Sequence, residues 1–257
     1  MKAREYSALE VSSASGIATI RLNAPERKNA LSPAMVNELL YAFEDARDDA
    51  DVRVVVLTGS GNAFCAGGDL KQMGKGSLPP KGDFVDLMLA FRTIEKPVVA
   101  KLNGYAYGGG VGLVASCHFA VAGASVKLGT PEIARGLFPM MIMTVMQRVV
   151  PRRKLLDMML LGERLTAAEA LHIGLLSHVV EDIALDSTVD TLTEKLAAQS
   201  PTAIRLGLRA FHHQADLSLD EALPYLRDRL YELLGTEDAR EGLQAFFEKR
   251  EPKWKGK

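Results

Sequence analysis

Cysteine, histidine and aromatic residues are scarce in this chain of 257 residues, which holds two cysteines, five histidines and one tryptophan. Cys65 and Cys117 stand far apart, form no CxxC pair and cannot build a disulfide framework. A reducing, cytoplasmic setting is therefore expected. His118, His172, His178, His212 and His213 show no metal-ligand spacing, so no metal is expected, and the adjacent His212-His213 reads as a solvated helix face. Long hydrophobic runs are also missing. The longest weakly charged stretch, residues 102–126, is broken by glycines and by His118, and reads as a buried glycine-rich segment rather than a membrane span. The opening residues MKAREY carry no apolar core of a signal peptide. Neither charge is in excess: lysine plus arginine is 31 against 32 for aspartate plus glutamate, a formal net charge of −1. No global field therefore draws the chain to nucleic acid or to an anionic membrane, and an anionic ligand has to be held by local groups.

Hydrophobic residues at 47% and charged residues at 25% make an ordinary globular balance, and the length suffices to bury a core without staples. The first half alternates strand and helix signals. Residues 16–22 (GIATIRL) alternate apolar and polar positions. Ser32-Pro33 offers an N-cap with proline at the first helical position, and Met35, Val36, Leu39, Leu40 and Phe43 follow at helical spacing. Residues 52–57 (VRVVVL) and 97–102 (PVVAKL) read as buried strands. Glycine-bearing turns close both. Shorter strands are expected near 119–122 and 126–128, with parallel pairing, and residues 74–83 should form a mobile surface loop. Beyond about Met140 helices dominate, over 152–161, 166–172, 185–198, 202–213, 219–234 and 236–249, with one strand over 176–180. The expectation is an α/β core over residues 1–195 and a helical region over 196–257.

Two glycine-rich turns follow the two best strands: Asn62-Ala63-Phe64-Cys65-Ala66-Gly67-Gly68-Asp69-Leu70, and Asn103-Gly104-Tyr105-Ala106-Tyr107-Gly108-Gly109-Gly110 running into an apolar helix over 111–117. Neither turn has the G-x-G-x-x-G spacing, and Gly74-Lys75 does not complete a P-loop, so nucleotide-phosphate motifs are excluded. Each turn alone is explained by a tight strand-to-helix connection. Together they offer one backbone N–H apiece, which is what an oxyanion hole requires, and a helix start favours negative charge. Glu132 follows Pro131 in apolar surroundings. Partial desolvation there would raise its pKa and fit it for proton transfer near neutral pH; a helix N-terminal glutamate stabilised by the macrodipole is the blander reading.

These segments resemble the enoyl-CoA hydratase/isomerase (crotonase) superfamily. The resemblance extends to Asn23-Ala24-Pro25-Glu26-Arg27-Lys28-Asn29-Ala30-Leu31, to Gly129-Thr130-Pro131-Glu132-Ile133, to Gly162-Glu163-Arg164-Leu165-Thr166-Ala167 and to Glu241–Arg250, in order along nearly the whole chain. It implies a crotonase-like ββα spiral core, with a C-terminal helical region that builds homotrimers, often paired into hexamers. It further implies that the N–H groups of Ala66 and Gly109 bind a CoA thioester carbonyl, that Glu132 is the catalytic base, and that Lys28, Ala63, Asp69, Leu70, Gly108 and Lys249 lie along substrate and CoA. No cofactor is expected beyond the coenzyme A of the substrate itself.

The departures limit the chemistry. Typical hydratases of the family carry two glutamates, and Gly112 stands where the first would be. The run Leu137-Phe138-Pro139-Met140-Met141-Ile142-Met143 replaces the usual glycine pair; it either greases the acyl pocket with adaptable side chains or is core on a helix face. His118 stands where relatives often have aspartate. A lone Glu132 suffices to move a double bond, removing a proton at C2 and returning it at C4, whereas hydration usually shares its proton transfers between two carboxylates. Isomerisation or hydration of an enoyl-CoA thioester is expected. The rivals are a catalytically silent CoA-thioester-binding paralogue and a thioester hydrolase or decarboxylase using the same hole.

Overall fold

The alternation over residues 17–22 becomes a strand in which Ala18, Ile20 and Leu22 are buried and Ile17, Thr19 and Arg21 lie at the margin. This computed structural model describes residues 1–2, 4–71 and 81–257; most of the loop expected over 74–83 lies outside the described residues. In chain order the elements are β1 (Leu9–Ala14), β2 (Ile17–Leu22), α1 (Pro33–Asp48), β3 (Val54–Gly59), β4 (Ala63–Cys65), α2 (Phe84–Thr93), β5 (Val98–Leu102), β6 (Tyr105–Tyr107), α3 (Gly109–Ser116), β7 (Phe119–Gly123) and β8 (Lys127–Gly129). They continue with α4 (Met140–Met146), α5 (Arg152–Leu161), β9 (Arg164–Thr166), α6 (Ala167–His172), β10 (His178–Val180), α7 (Leu185–Ala197), α8 (Pro201–Gln214), α9 (Leu219–Leu234) and α10 (Glu237–Glu248).

A six-stranded sheet runs β1-β2-β3-β5-β7-β10, and a four-stranded sheet runs β4-β6-β8-β9. In the larger sheet only the β1–β2 hairpin is antiparallel; in the smaller, only β8–β9. The unit strand, strand, helix recurs as β3-β4-α2 and β5-β6-α3, one strand in each sheet. This is the expected ββα spiral. All six residues of β3 are buried, as a parallel strand covered on both faces should be. Val55 and Leu57 face the main core, while Val54 and Val56 meet Leu185 and Val189 of α7.

Ser32 caps α1 through its hydroxyl, which accepts the Met35 N–H, with Pro33 opening the first turn as the sequence predicts. The helix expected over 111–117 begins two residues earlier, at Gly109, because Gly108 takes a left-handed φ of +50° and breaks the strand at once. Beyond α7 the helices stack: α8 against α2 and α9, and α10 against α8 and α9. They leave apolar side chains uncovered, Phe246 and Phe247 at 77% exposure each and Leu219 at 71%. No helix among the described residues is long and apolar enough to cross a membrane.

Candidate active site

The parallel pairing of β4 with β6 sets the two glycine turns side by side. In the second turn Gly108 donates its N–H to Gly129 O at 2.9 Å. Gly109 then opens α3, and its N–H has no intrahelical acceptor. In the first turn three backbone groups are engaged with residues 28–31. Ala66 donates to Lys28 O at 3.0 Å, Gly67 O accepts from Leu31 N–H at 2.8 Å, and Asp69 donates to Leu31 O at 3.1 Å. The Ala66 N–H is therefore not available as the expected oxyanion donor. Gly68 N–H, by contrast, has no backbone acceptor among the described residues. It lies against Gly109: a Cβ built on Gly109 would stand 3.5 Å from Gly68 N. Of the expected pair, Ala66 and Gly109, the first is thus engaged within the chain, and the N–H beside Gly109 is that of Gly68. A parallel bridge between Leu31 and Gly68 fixes the phase of the turn, and that phase is not visible in the run of residues.

Glu132 sits in the 3-10 turn Pro131–Arg135 that follows β8. Buried Thr130 anchors this turn through its hydroxyl, which donates to Met158 O at 2.8 Å. The carboxyl lies against the second glycine turn: a Cβ on Gly108, itself at φ +50°, would stand 2.6 Å from Glu132 Oε1. Glu132 Oε2 is buried and has no hydrogen-bond partner among the described residues. Burial pushes this carboxyl above the ordinary glutamate value, against the opposite pull of its own backbone N–H and of Arg135. A carboxylate and two unpaired N–H groups are thus gathered at one place by three separate turns.

The remaining expected residues fall in two groups. Lys28, exposed and left-handed at φ +56°, donates through Nζ to Asn62 Oδ1 at 3.2 Å. Leu70 is 52% exposed at the rim of the first turn. Ala63 and Asp69 have partners inside the chain: Ala63 is buried and its carbonyl accepts from Asn29, while Asp69 pairs with Arg27 at 3.0 Å. Lys249 caps the far end of α10 in a left-handed conformation. Cys65 is buried behind the turn with its thiol pushed up to about 12 by desolvation, which makes it an inert filler. Among the described residues no group of three or more His, Cys, Asp or Glu side chains is placed to hold a metal ion.

A sequence model of the enoyl-CoA hydratase/isomerase family matches residues 12–257. The chain belongs to the enoyl-CoA hydratase/isomerase family. A protein of Dictyostelium discoideum named as a probable mitochondrial enoyl-CoA hydratase is 35% identical over 244 residues, covering 94% of this chain and 88% of its own length. The (E)-benzylidenesuccinyl-CoA hydratase of Thauera aromatica is 34% identical over 257 residues, covering 96% and 98%. Among solved structures, an enoyl-CoA hydratase of Mycobacterium smegmatis superposes with a TM-score of 0.90 at 33% identity, covering 96% of this chain and 99% of its own. The chain is accordingly an enzyme of the crotonase superfamily, whose relatives are named as hydratases.

Against that family background two positions stand out. At Gly112 a Cβ would meet Ile142 Cγ2 at 2.3 Å and Ile142 Cβ at 3.0 Å, with Phe84 Cζ at 3.7 Å. The place of a second glutamate is filled by side chains from α4 and α2. Ile142 is 3% exposed, whereas Met140 and Met141 are 60% and 50% exposed, so one face of α4 is core and the other is open. His118 accepts the Val98 N–H through Nδ1 at 3.0 Å, which leaves its ring proton on Nε2, 3.3 Å from His212 Nε2. His212 is therefore not a solvated side chain as expected but a half-buried partner that ties α8 to the end of α3. Burial, then the neighbouring His212, pushes His118 down to about 4.

Proposed function

We propose that the chain binds an enoyl-CoA thioester with its carbonyl oxygen on the N–H groups of Gly68 and Gly109, and that Glu132 alone carries protons to and from the acyl carbons. The observation that carries this reading is the meeting of two unpaired N–H groups with one partly desolvated carboxylate. Two donors aimed at the oxygen stabilise an enolate as it forms. A carboxylate with a raised pKa is both a competent base and, once protonated, a competent acid.

The reaction that fits one carboxylate is double-bond migration. Glu132 takes a proton from C2 of a 3-enoyl ester, the electron pair delocalises into a dienolate held on Gly68 and Gly109, and the protonated Glu132 returns the proton at C4. Hydration is the second reading, favoured by the names of the relatives. A water set to attack needs two or more polar partners to hold it. Opposite Glu132 it would meet Ile142 and Phe84 rather than a carboxylate.

Lys28 and Lys249 are the proposed phosphate contacts, acting as point charges. The uncovered apolar side chains of α8, α9 and α10 support assembly as a homotrimer or hexamer. No metal or separate cofactor enters the proposal, and the two free cysteines favour a reducing setting, proposed as the cytoplasm.

The test is to supply 2-enoyl-CoA and 3-enoyl-CoA thioesters separately to the wild type and to Glu132→Gln, following thioester absorbance. Conversion of the 3-enoyl ester that collapses in the variant, with ester binding retained, is the expected result. Turnover unchanged in Glu132→Gln would remove Glu132 from the mechanism, and tight binding without turnover by the wild type would point to a silent binder.

A further inference from the structure

The donor Gly68 is set in place by the turn over residues 24–31, and one buried side chain in that turn has all of its hydrogen-bonding capacity engaged. Asn29 is 0% exposed and left-handed at φ +55°, a conformation that asparagine tolerates better than most side chains. Its Oδ1 accepts the Ala24 N–H at 3.0 Å and the Ser60 hydroxyl at 3.3 Å. Its Nδ2 donates to Ser60 O at 2.9 Å and to Ala63 O at 2.8 Å. Two donors and two acceptor positions are the complete inventory of a carboxamide.

The contact with Ala63 bears on the site. β4 pairs with β6 irregularly, with Ala63 opposite Tyr105 but Cys65 opposite Ala106, so Phe64 is an extra residue in the strand. Such a bulge re-aims the residues after it and is held only if its displaced backbone groups find partners. Asn29 supplies the partner for Ala63 O. Gly59 makes the room: a Cβ there would lie 2.3 Å from Ala63 O and 2.8 Å from Asn29 Nδ2. Downstream of the bulge, Lys28 O and both backbone groups of Leu31 engage Ala66, Gly67 and Asp69, and leave Gly68 N–H unpaired. Losing the bulge by one residue would change which N–H stays free.

We propose that Asn29 is a positioning residue for the oxyanion hole, holding the β4 bulge so that Gly68 rather than a neighbour presents its N–H to the thioester oxygen. The role rests on the hole proposed above. It asks for a residue that accepts two donors, donates twice and sits at positive φ, which Asp, Gly and Ala each fail in a different way.

The experiment compares wild type with Asn29→Asp, which keeps the size and the acceptor but turns two donor contacts into repulsions, and with Asn29→Gly, which keeps the backbone conformation and removes the amide. The probe is a push–pull cinnamoyl-CoA thioester, whose absorption moves to longer wavelength when its carbonyl oxygen accepts strong hydrogen bonds. In variants that remain folded, kcat should fall about a hundredfold, as for loss of one hole donor, while thioester Kd changes less than about threefold and the wavelength shift shrinks. A folded variant of either kind that melts lower yet keeps wild-type kcat and shift would overturn the positioning role and leave Asn29 as a structural residue only. If neither variant folds, Ser60→Ala, which removes the hydroxyl donated to Oδ1, should give a smaller loss of shift in the same direction. A full shift there would count against the role. A wild type that binds the probe with no shift would overturn the hole itself, and Asn29's role with it.

Discussion

Gly112→Ala is the most direct perturbation of the reasoning about reaction type, because two opposing effects have known sizes. Alanine in a helix interior is favoured over glycine by about 1 kcal/mol, so an open site would gain stability. The geometry opposes this. The added Cβ would lie 2.3 Å from Ile142 Cγ2 and 3.0 Å from Ile142 Cβ. Neither atom is the free end of a flexible chain: Ile142 branches at Cβ and is 3% exposed, so the backbone of α4 has to move. Overpacking of this kind costs about 1–3 kcal/mol and occasionally more. A 2.3 Å contact falls at the upper end of that range, so a net loss of about 1–2 kcal/mol is expected, which for a chain of this size lowers the melting temperature by about 2–4 °C. Ile142→Ala alone should cost about 2–5 kcal/mol through the cavity it leaves. Adding Gly112→Ala to Ile142→Ala should then cost nothing or recover stability, a coupling of about 1–3 kcal/mol between residues in contact. Denaturant unfolding of the four proteins measures the cycle. A Gly112→Ala variant as stable as the wild type, or additive behaviour in the double variant, would refute the claim that this position is closed.

Glu132→Gln should lower kcat by about 10²–10⁴-fold, and the wild-type rate should rise with pH through a pKa above the ordinary glutamate value. The same raised pKa means that stability from this group is present at low pH and lost as pH rises through its folded value. Glu132→Gln should therefore melt higher than the wild type at neutral pH, and a lower melting point would contradict the burial argument. His118 behaves oppositely: with its folded value near 4 against an ordinary 6.5, its contribution is present above 6.5 and lost as pH falls toward 4. Melting temperature should drop between pH 7 and pH 5, and His118→Asn, which still accepts the Val98 N–H, should flatten that slope; an equal slope in the variant would exclude the histidine pair as its source. Asp238 is 1% exposed and accepts from Ser200 Oγ at 2.8 Å and from the N–H groups of Lys255 at 2.7 Å and Gly256 at 3.1 Å. Asp238→Ala should destabilise by about 1–3 kcal/mol and speed amide exchange over residues 253–257, whereas unchanged exchange would show that the tail is held by its other contacts, Trp254 to Ala198 O and Lys253 N–H to Glu241.

The long periodic elements could be read directly from the residues. β2, β3, β5 and the helices from α5 to α10 lie where alternation, β-branching and helical spacing place them, within two or three residues at each end. β4, β6 and β9 span three residues each, too few for any period to register. They exist because neighbouring strands complete their hydrogen bonding. α2 and α4 were hidden for another reason. They are short, ten and seven residues, and bury only three and two of them, so no long apolar stripe marks either.

At the site, Glu132 was visible from its neighbours, because desolvation follows from apolar composition on both sides of it. The choice between Ala66 and Gly68 was not. Which N–H remains free depends on which carbonyls lie opposite, and here these come from Lys28 and Leu31, more than thirty residues earlier in the chain. His212 illustrates the same limit. Next to His213 it looks like half of a solvated pair, yet only one of the two faces the core, where it meets a histidine 94 positions away.

These contacts also divide the labour of the site. The hole depends on the turn over residues 24–31, on Gly67 and on the start of α3. In the proposed site, thioester binding and carbonyl polarisation fall to that turn and the start of α3, and the number of carboxylates facing the acyl carbons to the contact between α3 and α4. A change confined to that contact should then alter proton transfer while leaving the oxyanion donors in place. This reconciles a fold shared with proteins named as hydratases and a chain with one carboxylate. Gly112→Glu combined with Ile142→Ala should leave the wavelength shift of a bound cinnamoyl-CoA intact while adding hydration of a 2-enoyl ester. Loss of the shift in that variant would show that the two parts are not separable.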